Sequence, residues 1–431
     1  MANVYWYIGI YVAVLLIISW IISRKQDKED FFIAGRKRGG WQILASKFAA
    51  SIGAGYFITY TGFAYEYGLG VFSLLLGLII GFLLFAYWAT PKIHLHSKEK
   101  KFYTIGDFVY DKIPSNFAKN FANITSMAIL FSWLLVGIIG GGKIINDFGF
   151  LSYSLAVILT SVVILSYILL AGFRAVILTD IVQSFIIVLL LIFITLGITG
   201  TDSLGTILSS QNTGIDIGAV IGFFLFGVLS VFSYSDRYQL TYAAKNEKSI
   251  KHGIGLAIIP VVFVTFLLLL IGNFMSINVV GLDSGLVFTE ALKNFLPSSL
   301  LPLAVVLFFA GVMSSADTNV YAISSHYAMS IKKWSAKMIR NATILLMIII
   351  SFLAILFPDV VDVSIIAGAI SLTLSFPMIY LLCNGRKKSK FMASSLLSII
   401  GVVLGIAIVG FEPSVALFPV ILGALGLLWW K

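Results

Sequence analysis

The chain has 431 residues, 59% of them hydrophobic and 11% charged, with a formal net charge of +10. A soluble domain carries about 25% charged residues, so the composition excludes one and predicts an all-α polytopic membrane protein. The basic excess sits in short loops between apolar runs, without the aromatic-interleaved stripes of a nucleic-acid surface. A single cysteine, Cys383, excludes a disulfide framework and a multi-cysteine metal cluster. His94, His96, His252 and His326 are too scattered for a metal site, and His94 and His96 fall in a charged stretch where solvation is expected. No nucleophile–base or metal constellation converges in the apolar runs, so an enzyme is not expected.

A membrane crossing takes about 20 apolar residues. Thirteen segments are predicted, at about 3–24, 41–64, 69–92, 118–146, 151–171, 174–200, 214–242, 252–277, 298–330, 336–357, 361–385, 389–411 and 413–430. The first has no A-x-A cleavage site and reads as a retained helix. Basic residues alternate between loops. Arg24, Lys25, Lys28, Arg36, Lys37 and Arg38 follow the first segment, and later clusters include Lys98–Lys101, Arg237/Lys245/Lys248/Lys251, Lys332/Lys333/Lys337/Arg340 and Arg386–Lys390. The intervening loops are nearly bare: 201–216 has no basic residue and 281–299 only Lys293. By the positive-inside rule the N-terminus lies outside and the C-terminus inside. No soluble domain remains. The outer loop 278–299 holds an amphipathic piece, 287–295, read either as a cover over an outer mouth or as a plain interfacial helix.

Two segments lose helical character midway. Residues 49–56 (AASIGAGY) place two glycines within three positions, where each weakens a helix. Residues 227–236 repeat the weakness with Gly227, Ser230, Ser233, Tyr234, Ser235 and Asp236. Within a bilayer the freed carbonyls need partners, and a cation is one. The two breaks are five segments apart and run in opposite directions, the pattern of an inverted-repeat transporter with its site at the midplane. Segments two to six and seven to eleven are then the repeats. Small residues that serve only close helix packing are the competing reading.

Four runs resemble the sodium/solute symporter family, which contains sodium/proline, sodium/galactose and sodium/sialic acid transporters. They are 30–36 (DFFIAGR), 172–183 (GFRAVILTDIVQ), 238–245 (YQLTYAAK) and 309–315 (FAGVMSS). The resemblance covers about residues 30 to 330 and implies a LeuT-type fold of 5+5 inverted repeats. On that plan 1–431 is a single transporter domain. It has an extra N-terminal helix at 3–24, repeats at 41–200 and 214–385, and two C-terminal helices at 389–430.

Carried over residue by residue, the family's sodium site implies carbonyls of Ala49, Ile52 and Gly311 and hydroxyls of Ser314 and Ser315. A hard cation with several oxygen ligands is consistent chemistry, and Gly311 and Ser314 share one helical face. Ordinary packing with back-bonded serine hydroxyls is the alternative. A second site for sodium or a proton is expected at Asp180, Ser314, Asp317 and Thr318, since intramembrane carboxylates usually face a pathway. Against it stands a simple pairing of Asp180 with Arg174.

Solute candidates just outward of the sodium site are Gly55, Tyr56, Tyr234, Ser235 and Lys143. For Lys143 an ion pair with Asp147 at i+4 is the default. Lys47, two residues before Ala49, has three readings: snorkelling to the inner surface, pairing with Asp180, Asp236 or Asp317, or supplying the site's cation in place of sodium. Leu240 stands where the family has an arginine, whose gating role passes to Arg237 or Lys245. The resemblance implies a sodium-coupled symporter of a small organic solute in the plasma membrane. The alternatives are a membrane sensor with a separate signalling partner, and an uncoupled or proton-coupled carrier.

Overall fold

The computed structural model describes residues 36–149, 151–170, 216–330 and 336–429, with positions 6, 9–11, 13–14, 17, 188–189 and 191–198. Most of the predicted first and sixth segments, Asp180 included, lie outside the described residues. Among the described residues every regular element is helical, apart from one parallel bridge between Arg38 and Ala244. Among the described residues, six helical stretches are long and apolar enough to cross a membrane: Gly55–Lys100, Asn116–Asp147, Ile217–Ala243, Glu247–Asn278, Val360–Leu382 and Lys388–Val409. The chain is therefore a multi-pass membrane protein.

The predicted second segment forms α1 (Gly40–Ser51) and α2 (Ala54–Tyr67), parted only by Ile52 and Gly53. Next comes a long helix built of α3 (Phe72–Leu84), a π turn at Phe85–Ala89 and α4 (Thr90–Lys100). It passes the predicted end at 92, with Pro91 standing just after the π turn, where the widened ladder changes the local hydrogen-bond pattern. His94 is accordingly not solvated. It is buried, with Nδ1 3.3 Å from the Thr241 carbonyl, and His96 lies 3.4 Å from Asp111.

A short helix, α5 (Ile105–Lys112), was not predicted. Asp107, three residues after the N-cap Thr104, reaches back to the cap. Asp107 Oδ2 accepts from the backbone N–H groups of Tyr103 and Thr104, each at 2.9 Å, and Oδ1 accepts from Lys119 at 2.6 Å. Burial opposes ionisation of Asp107, but Lys119 and the two N–H groups outweigh it and hold the carboxyl below its usual value. Its stabilisation is thus present above the unfolded value of about 3.9 and lost as pH falls through the lower folded value. Asp107→Asn is expected to cost about 1–2 kcal/mol at neutral pH, read by thermal unfolding in detergent. The gap from wild type should narrow below about pH 4; an equal penalty at pH 3 and pH 7 would contradict this account.

The remaining helices are α6 (Asn116–Asp147), α7 (Tyr153–Leu170), α8 (Ile217–Leu229), α9 (Ser235–Ala243), α10 (Glu247–Asn278), α11 (Val287–Phe295), α12 (Leu301–Ser330), α13 (Ala336–Leu356), α14 (Val360–Ser371), α15 (Ser375–Leu382), α16 (Lys388–Val409) and α17 (Leu417–Trp429). Polar N-caps mark several aqueous ends: Asp216 for α8, Asn246 for α10 and Asp359 for α14.

Packing sets the site. α3 crosses α8, α10 lies on α1 and α2, and α6 lies on α12. The α3–α8 crossing uses small residues to bring backbones close: a Cβ on Gly227 would stand 2.8 Å from the Leu74 carbonyl. The predicted eleventh segment is interrupted between α14 and α15, which the sequence did not signal. The reason is tertiary. Ser375 donates to the Leu229 carbonyl at the end of α8, at 2.9 Å, and its hydroxyl lies 2.8 Å from that of Ser233. α11 is amphipathic as predicted: Val287, Phe288, Ala291 and Leu292 are buried, and Phe288 stacks on Phe57 of α2 at 5.4 Å.

Candidate functional site

The first break is set by room. The α1 ladder runs as far as Ile52 N donating to Phe48 O at 3.2 Å, and α2 resumes with Phe57 N donating to Gly53 O at 3.2 Å. The last carbonyls of α1, Ala49 among them, therefore stand at a helix end that leaves such groups without intrahelical partners. Gly53 has an ordinary extended backbone (φ −116°, ψ 170°), so its dihedral does not require glycine. Its neighbours do. A Cβ there would overlap the Ser315 hydroxyl and lie 2.5 Å from Ser315 Cβ and 3.3 Å from the Gly311 carbonyl. Ser315 Oγ in turn donates to Gly311 O at 3.3 Å. The structure thus brings Gly311 and Ser315 of α12 against the break beside buried Ile52. The side chains of Ser314, Asp317 and Thr318 lie outside the described residues, as does Asp180.

The second break follows the predicted positions. α8 ends at Leu229, a 3-10 turn covers Ser230–Phe232, and α9 starts after extended Tyr234. Between the breaks lies a cavity of about 130 Å³. Ser51, Gly53, Gly55 and Tyr56 line it from the first break, Ser230, Tyr234, Asp236 and Arg237 from the second, and Ser315 and Asn319 from α12. Trp133 of α6 and Tyr60 complete the aromatic wall.

Tyr56 bonds the Thr265 hydroxyl and stacks on Tyr60 with ring centres 4.0 Å apart. The Tyr234 hydroxyl accepts from Ser371 at 3.2 Å, and Ser371 accepts from Trp133 Nε1 at 3.0 Å. Ser235 is buried beside Tyr234 but does not line the cavity; its hydroxyl has no hydrogen-bond partner among the described residues.

Two charged groups sit differently from the first expectation for each. Lys47 does not snorkel. It is buried at 4% exposure, and Nζ donates to Asp236 Oδ2 at 2.8 Å, joining α1 before the first break to α9 after the second. Pairing with Asp236 was one of its three readings. Lys143 does not take Asp147 as partner. It meets both oxygens of Asp283 at 3.1 Å, while Asp147 pairs with Lys293 at 2.9 Å. The helix-neighbour rule fails here because Lys143 is turned into the packed face of α6 and reaches across Gly285. Lys143 is also not a lining residue of the cavity. Arg237 lines it, buried, whereas Lys245 is exposed and Leu240 packs against the core.

Trp133, Tyr60 and Asn319 were missed by sequence reasoning. Tyr60 was within reach of it, one helical turn from Tyr56; Trp133 and Asn319 carry no local signal. Among the described residues no group of three or more His, Cys, Asp or Glu is placed to hold a metal ion.

Two interrupted membrane helices facing one small cavity make the architecture of a membrane carrier. The chain matches the sodium:solute symporter family over residues 31–376 and belongs to it. It is similar to the osmoregulated proline transporter OpuE of Bacillus subtilis, 29% identical over 43% of this chain and 39% of that one. It is also similar to the sodium/pantothenate symporter of Haemophilus influenzae, 24% identical over 44% and 41%. These alignments span about two fifths of the length of those relatives. In fold, the chain is similar to a Na+-coupled sialic acid symporter solved in a substrate-bound outward-open state. The TM-score is 0.74 at 17% identity, covering 99% of this chain and 98% of the other. It is also similar to Mhp1, a nucleobase-cation-symport-1 family transporter, with TM-score 0.63 at 12% identity over 94% and 95%.

Proposed function

We propose that this chain is a secondary active transporter that couples sodium entry to uptake of a small organic solute by alternating access. The observation that carries the reading is the contact of Gly53, in the first break, with Ser315 and Gly311 on α12, at the edge of a cavity shared with the second break. Sodium binds the carbonyls of Ala49, Ile52 and Gly311 and the hydroxyls of Ser314 and Ser315. Helix-end carbonyls and hydroxyls suit a hard monovalent cation and hold it weakly enough for release. Solute binds in the adjacent cavity at Gly55, Tyr56 and Tyr234. Each ligand then raises the other's affinity by the same factor.

Thirteen helices in two inverted repeats, 41–200 and 214–385, with the N-terminus outside, complete the proposed topology. On it, Lys47, Asp236 and the Arg38–Ala244 bridge lie on the cytoplasmic side of the cavity, where Arg237 takes the gating place left by Leu240. Engagement of the Lys47 ammonium by Asp236 supports sodium rather than lysine as the site's cation. A second cation, sodium or a proton, at Asp180, Ser314, Asp317 and Thr318 remains part of the proposal.

The test is uptake into proteoliposomes under an imposed inward Na+ gradient, screened over amino acids, sugars and carboxylates. Accumulation of one class, lost when choline replaces sodium, is the expected result. Ser315→Ala should raise the half-saturating Na+ concentration on the order of tenfold, the loss of about 1–1.5 kcal/mol from one oxygen ligand. Accumulation independent of every cation gradient, or a Ser315→Ala protein with wild-type Na+ dependence, would count against the reading.

A further inference from the structure

We infer that the solute is a small organic monoanion, a monocarboxylate with an apolar or ring-bearing body, and that Arg237 reads its charge. The inference rests on the symport reading above. Among the described residues the cavity wall carries three charged side chains, Lys47, Asp236 and Arg237. Lys47 and Asp236 neutralise each other across 2.8 Å.

Arg237 is then an excess positive charge. It is 6% exposed. Its contacts are the Ser230 carbonyl, 3.4 Å from Nη1, and the ring faces of Tyr234 and Phe82, 4.6 and 5.0 Å from Cζ, while Asp236, already engaged by Lys47, acts on it through its charge alone. Its Nε is buried with no acceptor among the described residues. One long carbonyl contact, two π faces and a carboxylate shared with Lys47 leave a buried guanidinium incompletely compensated, since each buried charge needs a counter-charge and filled hydrogen bonds. A carboxylate supplies both, because its two oxygens match the guanidinium fork.

The other solute classes fit less well. A sugar would leave the charge uncompensated, and an amine would add to it. A dianion would exceed it and face the Asp236 carboxylate on the same wall. The body of the solute meets Tyr56, Tyr60 and Trp133. The volume of about 130 Å³ is below the several hundred cubic ångströms of sites for drug-sized ligands, which keeps the solute small. Lys143, the residue first expected to attract a carboxylate, is already held by Asp283.

The test uses the full chain in detergent and tryptophan fluorescence, for which Trp133 on the wall is a reporter. Matched probes are propionate, propionamide and propylamine, and benzoate, benzamide and benzylamine, each in sodium chloride and in choline chloride. At least one carboxylate is expected to bind about tenfold or more tightly than its own amide and amine, and Arg237→Gln should erase that preference. The inference is overturned if an amide or amine binds as tightly as its carboxylate, if neither carboxylate binds, or if Arg237→Gln keeps the preference. Should the variant not fold, the wild-type comparison decides alone. A sodium-dependent rise in melting temperature without carboxylate preference overturns the inference and leaves symport standing. A carboxylate preference indifferent to sodium supports the inference and counts against symport.

Discussion

Gly53→Val is expected to abolish Na+-driven uptake, and Gly53→Ala to weaken it by roughly tenfold or more in apparent Na+ affinity. Even the alanine Cβ would overlap the Ser315 hydroxyl and crowd Ser315 Cβ and the Gly311 carbonyl. Those atoms sit on the backbone side of α12 rather than at the far end of a flexible chain, so relief requires moving a helix. Overpacking of this kind costs about 1–3 kcal/mol, and at this contact it also parts the proposed ligands. Gly53→Ala combined with Ser315→Gly separates the two effects. It should regain melting temperature, because the clash is gone, without regaining the Na+ response, because the hydroxyl is gone. If Gly53→Val kept wild-type Na+ affinity, the break would not be the cation site.

The buried ion pair gives the second large effect, and its two halves should not be equivalent. Removing one partner of a buried pair costs about 3–5 kcal/mol, whereas replacing both with apolar groups is often near neutral. Asp236→Asn leaves both Lys47 and Arg237 on the cavity wall without a described carboxylate, and should fall at the upper end of that range. Lys47→Met leaves Asp236 beside Arg237, which partly compensates it, and should fall at the lower end. The double variant Lys47→Met/Asp236→Leu should recover most of the loss, measured as melting temperature in detergent. Strictly additive penalties would show that the two residues do not act as a pair.

The legible parts of this fold share one property. Each apolar run, each glycine- or serine-weakened stretch and each polar cap acts through neighbours within a few residues. The ends of α6 and α16 consequently fall within two residues of expectation, and both breaks appear where glycine and serine thin the helix. The departures are also physical. α4 continues past Pro91 just after a π turn, and at the gap before α15 Ser375 serves a carbonyl of α8.

By itself, then, the sequence determined that this is a polytopic helical membrane protein with two interrupted helices and a family resemblance that family membership bears out. These follow from hydropathy, helix propensity and motif, which are properties of short windows. Only the tertiary structure decided how the charges are partnered. Lys47 finds Asp236 across 189 residues, and Lys143 finds Asp283 across 140. Arg237 is turned into the cavity instead of toward water. No periodicity encodes such pairings. They are set by which helix faces meet once the two breaks are brought together, and by the cost of leaving any buried charge without a partner.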